Sequence, residues 1–248
     1  MILAAGAGTR LRPLTDTMPK ALVPVGDRPL LGWVLQRLAE SGVDRIIVNT
    51  HYHEDQIVEY LDSHTPANID LAISPEPDGP YDTGGGLFAA SHLFRENRPF
   101  LLHNVDVLSR IPFEGLLDEH ARARQQIGDR VVATVAVQAR DADRQLLFDD
   151  LGLMGWENAG SDRTRGRWHR VREPVGTLRR YSFTGIHVID PSLFQATERA
   201  GKFSIITLYL ELAAFGYVVV PSDVSEHDWI DAGTPDRLVE AGRMMREQ

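Results

Sequence analysis

Short apolar runs alternate with helix-like segments through the first half of the chain. A first strand at residues 3–5 ends at Gly6, and apolar residues then recur at helical spacing from Leu30 to Leu38, where Gly42 is placed to end the helix. The alternation continues with predicted strands at 46–48, 69–73, 100–105 and 131–137 and predicted helices at 53–63, 84–95 and 112–127. Helices between strands predict βαβ units, and therefore an α/β fold with a doubly wound, mainly parallel (Rossmann-like) sheet and helices on both faces.

The pattern changes beyond residue 145. Segments 146–156 and 168–172 have the composition of hairpin strands around a polar, arginine-containing loop. Thr234 and Pro235 occupy the N-cap and first-turn positions typical of a helix start, so a last helix is predicted there. The remaining predicted elements are a strand at 181–189, a helix at 204–215 and strands at 217–220 and 228–231. We predict a single domain over residues 1–248 with halves at 1–140 and 141–248, the second adding a small β-hairpin subdomain.

Composition narrows the range of functions. The 248 residues are 43% apolar and 25% charged, an ordinary globular balance, and they include no cysteine, which excludes disulfides, thiolate metal sites and a cysteine nucleophile. A formal net charge of −9 disfavours binding to nucleic acid or to an anionic membrane. No targeting segment and no apolar run of about 18 residues is visible. We therefore expect a cytoplasmic protein with no nucleic-acid or membrane partner.

The strongest chemical signal is a glycine-containing stretch directly after the first strand. Residues 3–15 read LAAGAGTRLRPLT and residues 19–25 read PKALVPV. Small residues at a strand end let backbone N–H groups approach phosphates, and Arg10 and Lys20 bring cations. A dinucleotide-binding motif would need a third glycine where Leu11 stands, and the nearest Walker-like stretch has Gly85 in place of lysine. Taken alone, the loop is equally well explained as a tight turn.

Together with four later motifs, this stretch resembles the signature of the sugar-1-phosphate nucleotidyltransferases, which make NDP-sugars from an NTP. The later motifs, in the family's order, are DTGGG at 82–86, HNVDV at 103–107, FTGI at 183–186 and WIDAGT at 229–234. The resemblance covers nearly the whole chain. Within the family it is greatest to the short enzymes grouped with N-acetylmuramate-1-phosphate uridylyltransferase and the mannose- or heptose-1-phosphate guanylyltransferases. Longer relatives continue into a left-handed β-helix, which we do not expect here.

The resemblance implies a role for individual residues. The resemblance makes residues 1–140 the nucleotide-binding half and residues 141–248 the half that completes the sugar and metal sites. The implied substrates are an NTP, either UTP or GTP, and a sugar 1-phosphate of the muramate, mannose or heptose type. The resemblance assigns Arg10 and Lys20 to catalysis and Asp106 and Asp231 to Mg²⁺. The implied nucleotide-binding residues are Leu3, Ala4, Ala5, Gly6, Gly8, Thr9, Pro75, Glu76 and Gly84. The implied sugar-binding residues are Thr83, Gly85, Asn104, Gly185 and Lys202.

The chemistry explains why such residues are needed. A sugar 1-phosphate is already an ionised nucleophile, so attack on the α-phosphorus needs no general base, only charge neutralisation and in-line positioning. Mg²⁺ takes one or two carboxylates together with substrate phosphates. Lys20 and Lys202 are the only lysines among 26 basic residues, which is consistent with a lysine kept where a compact ammonium is required.

Structural explanations remain open for most of these residues. An aspartate at a strand end is often a turn or cap residue, three glycines before a helix can form a flexible loop, and Glu76 after Pro75 has the sequence context of an exposed loop residue. Lys202 is equally well a plain surface lysine. His51 and His53 form a His-x-His pair, for which a structural role is favoured because no third soft ligand is nearby.

The arginines at 163–180 either face a substrate anion or form a solvated hairpin face, which is the favoured alternative. They are Arg163, Arg165, Arg167, Arg170, Arg172, Arg179 and Arg180. The Glu-Lys-Pro segment that grips the sugar phosphate in many relatives is represented at best by residues 172–174, which read Arg-Glu-Pro.

Two other functions fit the same fold. A phosphocholine cytidylyltransferase would need an aromatic cage for the quaternary ammonium, and no aromatic cluster is visible near the motifs. A non-catalytic nucleotide-sugar sensor would be expected to lack a cation or a metal ligand, whereas Arg10, Lys20, Asp106 and Asp231 are all present.

Overall fold

A computed structural model describes residues 1–95, 98–158 and 167–246 of the chain. The strands are β1 (Ile2–Leu3), β2 (Pro24–Val25), β3 (Arg28–Pro29), β4 (Arg45–Thr50), β5 (Asp70–Pro75), β6 (Phe100–Asn104), β7 (Val107–Ser109), β8 (Val131–Gln138), β9 (Arg144–Asp149), β10 (Gly152–Asn158), β11 (Arg167–Arg170), β12 (Arg179–Ile189), β13 (Val218–Asp223) and β14 (Trp229–Asp231). The helices are α1 (Leu30–Glu40), α2 (Glu54–His64), α3 (Asp82–Ala89), α4 (Phe113–Ile127), α5 (Ile205–Ala214) and α6 (Pro235–Arg246). Within these described ranges, no helix has the length and apolar character needed to cross a bilayer.

The central sheet has the strand order β5-β4-β1-β6-β12-β8-β13. Six of these strands point the same way, and only β12 runs antiparallel to its neighbours. Alternate strand residues face opposite sides: Ile46 and Val48 pack in one apolar core with α1, while Ile47 packs in a second core with α5. The predicted doubly wound α/β fold, with helices covering both faces, is confirmed.

Strand β12 joins the central sheet to the hairpin subdomain. Its first residues, 179–181, pair with β9, whereas the rest of the strand pairs with β6 and β8. Strands β9, β10 and β11 continue antiparallel from there. The predicted hairpin strands are therefore present, and residues 159–166 between β10 and β11 lie outside the described residues. The functional division at residue 140 stays a prediction.

Several element boundaries differ from the sequence pattern. The helix predicted at 84–95 begins at Asp82 and ends at Ala89, followed by a separate 3₁₀ turn at Ser91–Leu93. Strand β1 is limited to Ile2–Leu3 because the Ala4 N–H donates to the side-chain oxygen of Asn49 on β4 (2.6 Å) and not to a backbone carbonyl of a neighbouring strand. Strands β2, β3 and β7 are two or three residues long, too short for an alternation pattern to reveal.

Two of the buried histidines lie on strands of the central sheet. Burial lowers the pKa of His103 on β6 to about 4 and the pKa of His187 on β12 to about 3. The His187 Nδ1 atom shares a hydrogen bond with the Tyr209 hydroxyl (2.9 Å). Both rings are therefore neutral in the folded protein at neutral pH.

We predict that the free energy of unfolding falls as the pH is lowered from about 6.5 to about 4. The unfolded chain protonates these histidines near pH 6.5 but the folded chain does not, so the stability present above pH 6.5 is lost as the pH falls toward the folded-state values. For His103 alone, the difference between pKa values of 6.5 and about 4 corresponds to roughly 3 kcal/mol. Urea unfolding at pH 7, 6, 5 and 4.5 measures this. His187→Gln should flatten the pH dependence, the exposed-site control His92→Gln should not, and equal stability at all four pH values would contradict the prediction.

Candidate active site

A cavity of about 230 Å³ opens at the carboxyl ends of β1, β4 and β6. Ligands of doubly wound sheets bind beyond this edge of the sheet. The predicted site residues that line it are Leu3, Ala5, Gly6, Lys20, Glu76, Thr83, Asn104 and Asp106. Four lining residues were not among those predicted: Asn49, Pro80, Asp82 and Val105. A cavity of about 270 Å³ at the opposite edge, lined by Arg45, Phe94 and Phe100 among others, contains none of the predicted residues.

The loop after β1 is shaped around Lys20. Gly8 has a left-handed backbone with φ of 61°, and a Cβ there would lie 2.9 Å from both Lys20 Cβ and Thr15 Cγ2. The Thr15 hydroxyl donates to the Gly8 carbonyl (2.9 Å), which fixes the turn. A residue with a side chain at position 8 would push Lys20 away, so the glycine is needed for the close approach.

Two cations and two carboxylates converge beside the cavity. The Lys20 ammonium donates to Asp106 Oδ2. The Arg10 Nη2 atom lies 4.0 Å from Asp106 Oδ2 and 4.0 Å from Asp231 Oδ2. The antiparallel pairing of β14 with β7 places Asp231 opposite Val107, the neighbour of Asp106, and so brings the two distant aspartates to one place.

The two carboxylates have the character of a divalent-cation site. The pKa of Asp231 is raised, first by burial and then by the negative charge of Asp106, while Arg10 and Lys20 oppose the shift. Asp231 Oδ1 accepts the Gly233 N–H (2.8 Å). No cluster of three His, Cys, Asp or Glu side chains occurs among the residues that the structure describes. Two hard oxygen ligands without a third suit an ion such as Mg²⁺, which completes its shell with water and phosphate.

Glu76 is part of the cavity wall, and its interpretation as an exposed loop residue is wrong. Its exposed fraction is 1%. One carboxylate oxygen accepts the Asn49 side-chain N–H (2.6 Å) and the other accepts the Tyr81 N–H (2.7 Å). Because Asn49 also accepts the Ala4 N–H, the pair joins β1, β4 and the start of α3 into one network. The signal for Asn49 was present in the sequence as an amide at the end of a buried strand.

The triple glycine lets α3 dock closely on the segment before α5. The N–H groups of Gly84 and Gly85 both donate to the Phe203 carbonyl (2.9 and 3.1 Å), so in this structure they are not free for a ligand. A Cβ on Gly85 would lie 2.2 Å from the Gly201 carbonyl oxygen. Thr83 accepts the Ile205 N–H through its hydroxyl oxygen (2.9 Å). The ligand contacts that the resemblance implies for Gly84 and Gly85 stay predictions.

The remaining predicted site residues do not line the cavity. Gly185, with φ of 85°, packs against Asn104, and a Cβ there would lie 2.8 Å from the Asn104 amide nitrogen. Ala4 is buried, and its amide is used by Asn49. Thr9, Pro75 and Lys202 are exposed and are not among the lining residues of the cavity.

Three of the described hairpin arginines pair with acidic side chains of the hairpin itself, while Arg170 lies over the Trp168 ring at 4.7 Å. Arg172 makes a two-pronged ion pair with Asp149, in which its Nη2 donates to Oδ1 (2.7 Å). Burial would raise the pKa of Asp149, but hydrogen bonds from Arg172 and from backbone N–H groups outweigh it and lower the pKa to about 2. Arg179 pairs with Asp150 and Arg180 with Glu157. Arg163 and Arg165 and the side chain of Arg167 lie outside the described residues.

The His-x-His pair has a structural role in this region. The His51 Nδ1 atom is hydrogen-bonded to the Glu76 carbonyl (2.8 Å), and His53 adopts a left-handed backbone directly before α2. The predicted structural interpretation therefore agrees with the geometry.

A doubly wound sheet whose carboxyl edge carries a small-residue loop, two cations and two carboxylates is suited to binding a polyphosphate. A family model described as nucleotidyl transferase matches residues 1–144, more than half of the chain. The chain belongs to the nucleotidyl transferase family.

Two relatives illustrate the range of its similarities. The chain is 32% identical over 242 residues to N-acetylmuramate alpha-1-phosphate uridylyltransferase of Neisseria meningitidis serogroup B, with 97% of this chain and 95% of that protein covered. It is 39% identical over 241 residues to mannose-1-phosphate guanyltransferase of Emericella nidulans, with 95% of this chain and 60% of that protein covered. The predicted enzyme class, a sugar-1-phosphate nucleotidyltransferase, is confirmed.

Solved structures agree on the fold. A putative glucose-1-phosphate thymidylyltransferase from Bacillus anthracis superposes with a TM-score of 0.78 at 20% identity, covering 100% of this chain and 94% of that one. A UDP-glucose pyrophosphorylase complexed with UDP-glucose gives a TM-score of 0.69 at 17% identity, covering 99% and 97%.

Proposed function

We propose that the protein uses Mg²⁺ to join N-acetylmuramate 1-phosphate to the UMP unit of UTP, releasing pyrophosphate. The observation that supports this reaction type is the convergence of Arg10, Lys20, Asp106 and Asp231 beside one cavity. The substrate pair is that named for the Neisseria relative, which this chain matches over nearly the full length of both proteins.

The proposed mechanism depends on charge and position. A phosphate oxygen of the sugar 1-phosphate attacks the α-phosphorus of the NTP, the bond to the β-phosphate oxygen breaks, and pyrophosphate leaves with the electron pair. Lys20 is hydrogen-bonded to Asp106 and is held by the loop around Gly8. It is therefore placed to donate to an α-phosphate oxygen as charge develops there. Arg10 is placed to hold the triphosphate.

The metal has a defined place in this proposal. Asp106 and Asp231 would hold Mg²⁺, which supplies charge neutralisation to the phosphates when bound. The raised pKa of Asp231 beside the charge of Asp106 is the feature of this structure that a bound cation would relieve.

A second candidate pair is GTP with mannose 1-phosphate. It is supported by the 39% identity to the Emericella guanyltransferase, although this chain spans only 60% of that protein.

For either nucleotide, we propose that the Glu76 carboxylate in the cavity wall receives an N–H of the base. This buried carboxylate already accepts hydrogen bonds from Asn49 and Tyr81.

The test is pyrophosphate release with Mg²⁺ for five NTPs crossed with the 1-phosphates of N-acetylmuramate, N-acetylglucosamine, mannose, glucose and heptose. We also include CTP with phosphocholine. The highest kcat/KM is expected for UTP with N-acetylmuramate 1-phosphate. A preference for another pair would overturn the substrate assignment, and NTP binding without turnover in every pair would favour a sensor.

A further inference from the structure

Arg140, directly beyond strand β8, is a cation for which the reaction described above has no use. Its guanidinium carbon lies 4.4 Å from the centre of the Trp229 ring. Its Nε atom is buried and has no hydrogen-bond partner among the described residues. The Arg140 carbonyl accepts hydrogen bonds from the Gln145 side chain and the Ser182 hydroxyl, both at 3.0 Å, so its backbone is fixed. A buried donor without an acceptor is unusual in a folded protein and indicates a missing partner.

The position of Trp229 places Arg140 on the metal side of the site. Trp229 and Asp231 are two residues apart on β14, so their side chains share one face of the strand. The Trp229 indole N–H donates to the Thr184 carbonyl (2.7 Å), which fixes the ring beside Gly185. The guanidinium stacked on this ring therefore stands near the carboxylate of Asp231.

The charges around Arg140 favour an anion. The pKa of Arg140 is lowered by burial and by the positive charge of Arg237, and Asp231 opposes this shift. Arg237 lies in the first turn of α6, where the helix already carries positive partial charge. Arg140 and Arg237 lie near this helix N-terminus beside Asp231, and Asp236 lies in the same helix turn as Arg237. A phosphate there would accept charge-assisted hydrogen bonds from the guanidinium groups.

In the described part of the hairpin, Arg172 is not available to a ligand. Arg172 is held in its ion pair with the fully buried side chain of Asp149. Arg10 and Lys20 are assigned to the triphosphate. Arg140 is a further cation, and its Nε atom has no partner among the described residues.

We propose that Arg140, assisted by Arg237, binds the phosphate of the sugar 1-phosphate beside Asp231. The proposal rests on the proposed function. The Trp229 ring holds the planar guanidinium in place, and its Nε–H, which has no partner among the described residues, would form one prong of a two-pronged contact with the anion.

The test is a comparison of KM values for the two substrates in Arg140→Gln. Loss of a charge-assisted, two-pronged contact should raise KM for the sugar 1-phosphate about ten- to a hundredfold, while KM for the NTP stays at the wild-type value. Arg140→Lys should recover part of the loss, because it keeps the charge but not the fork. Arg28→Gln is the matched control, since Arg28 also stacks on a tryptophan, Trp33, at 4.7 Å but lies on β3, and it should keep both KM values.

Three results would overturn the proposal. They are an unchanged KM for the sugar 1-phosphate, a rise in KM for the NTP instead, or a rise confined to N-acetylmuramate 1-phosphate, which would assign Arg140 to the muramate carboxylate. If the wild type turns over no substrate pair, the proposed function fails and the anion site is tested alone by calorimetry with glucose 1-phosphate. Weaker binding by Arg140→Gln than by wild type would then support the site, and equal binding would refute it.

Discussion

Lys20→Met and Asp106→Asn are each expected to lower the rate of pyrophosphate release by about 10²–10³-fold, the usual cost of removing a preorganised charge from a reacting centre. Lys20 and Asp106 are paired, with only 14% and 12% of their side chains exposed, and both line the cavity. Methionine keeps most of the lysine stem without the ammonium, and asparagine keeps the shape of the aspartate without its charge. The losses should therefore come from electrostatics.

The two substitutions should not be additive. Since each removes one partner of the same contact, the double variant is expected to lose less than the product of the two separate effects. Asp129→Asn is the control, because Asp129 also pairs with a basic residue, Arg124, but its side chain is 96% exposed on the surface. Circular dichroism establishes that each variant is folded. A wild-type rate in folded Lys20→Met or Asp106→Asn would remove the basis of the proposed mechanism.

Gly85→Ala is expected to cost about 1–3 kcal/mol of unfolding free energy, the range observed for overpacked interiors, and to reduce activity sharply. The new Cβ would meet the Gly201 carbonyl oxygen at 2.2 Å and Tyr81 Cβ at 2.8 Å, and a backbone carbonyl cannot move aside as the end of a side chain can. The displaced α3 carries Asp82 and Thr83 out of the cavity wall.

Gly115→Ala gives the matched comparison for this helix glycine. Gly115 lies within α4, and the nearest atom to a Cβ there is 3.9 Å away. Alanine in an unobstructed helix position should stabilise the fold by about 0.5–1 kcal/mol. Urea unfolding and pyrophosphate release are measured for both variants. Equal stability of the two would show that the docking of α3 on residues 201–203 tolerates a side chain.

Much of the fold is visible in the linear pattern, because hydrophobic periodicity is set by near neighbours. Helix α1 and strand β8 lie close to the ranges that their apolar spacing predicts. The errors occur where a distant group decides the local structure. The early end of β1 depends on Asn49, 45 residues later in the chain than Ala4. The docking of α3 depends on the Phe203 carbonyl, which accepts the N–H groups of Gly84 and Gly85 from a distant part of the sequence.

The functional site likewise contains residues that the sequence pattern identifies and residues whose environment depends on distant parts of the chain. The motif residues Gly8, Lys20 and Asp106 were recognisable from sequence because their neighbours carry the pattern. Glu76 was misjudged because its burial comes from Asn49 on the adjacent strand β4. Arg140 could not be distinguished among the 26 basic residues of the sequence. It becomes a candidate ligand-binding residue only because the fold places its guanidinium over the Trp229 ring.

The sequence by itself determined the alternation of strands and helices, the kind of chemistry and the motif residues that carry it. Only the tertiary structure decided that Asp106 and Asp231, which are 125 positions apart, lie within reach of the same Arg10 guanidinium. The reason is that hydrophobic spacing acts over a few residues, whereas this meeting depends on the pairing of β7 with β14 across about half of the chain.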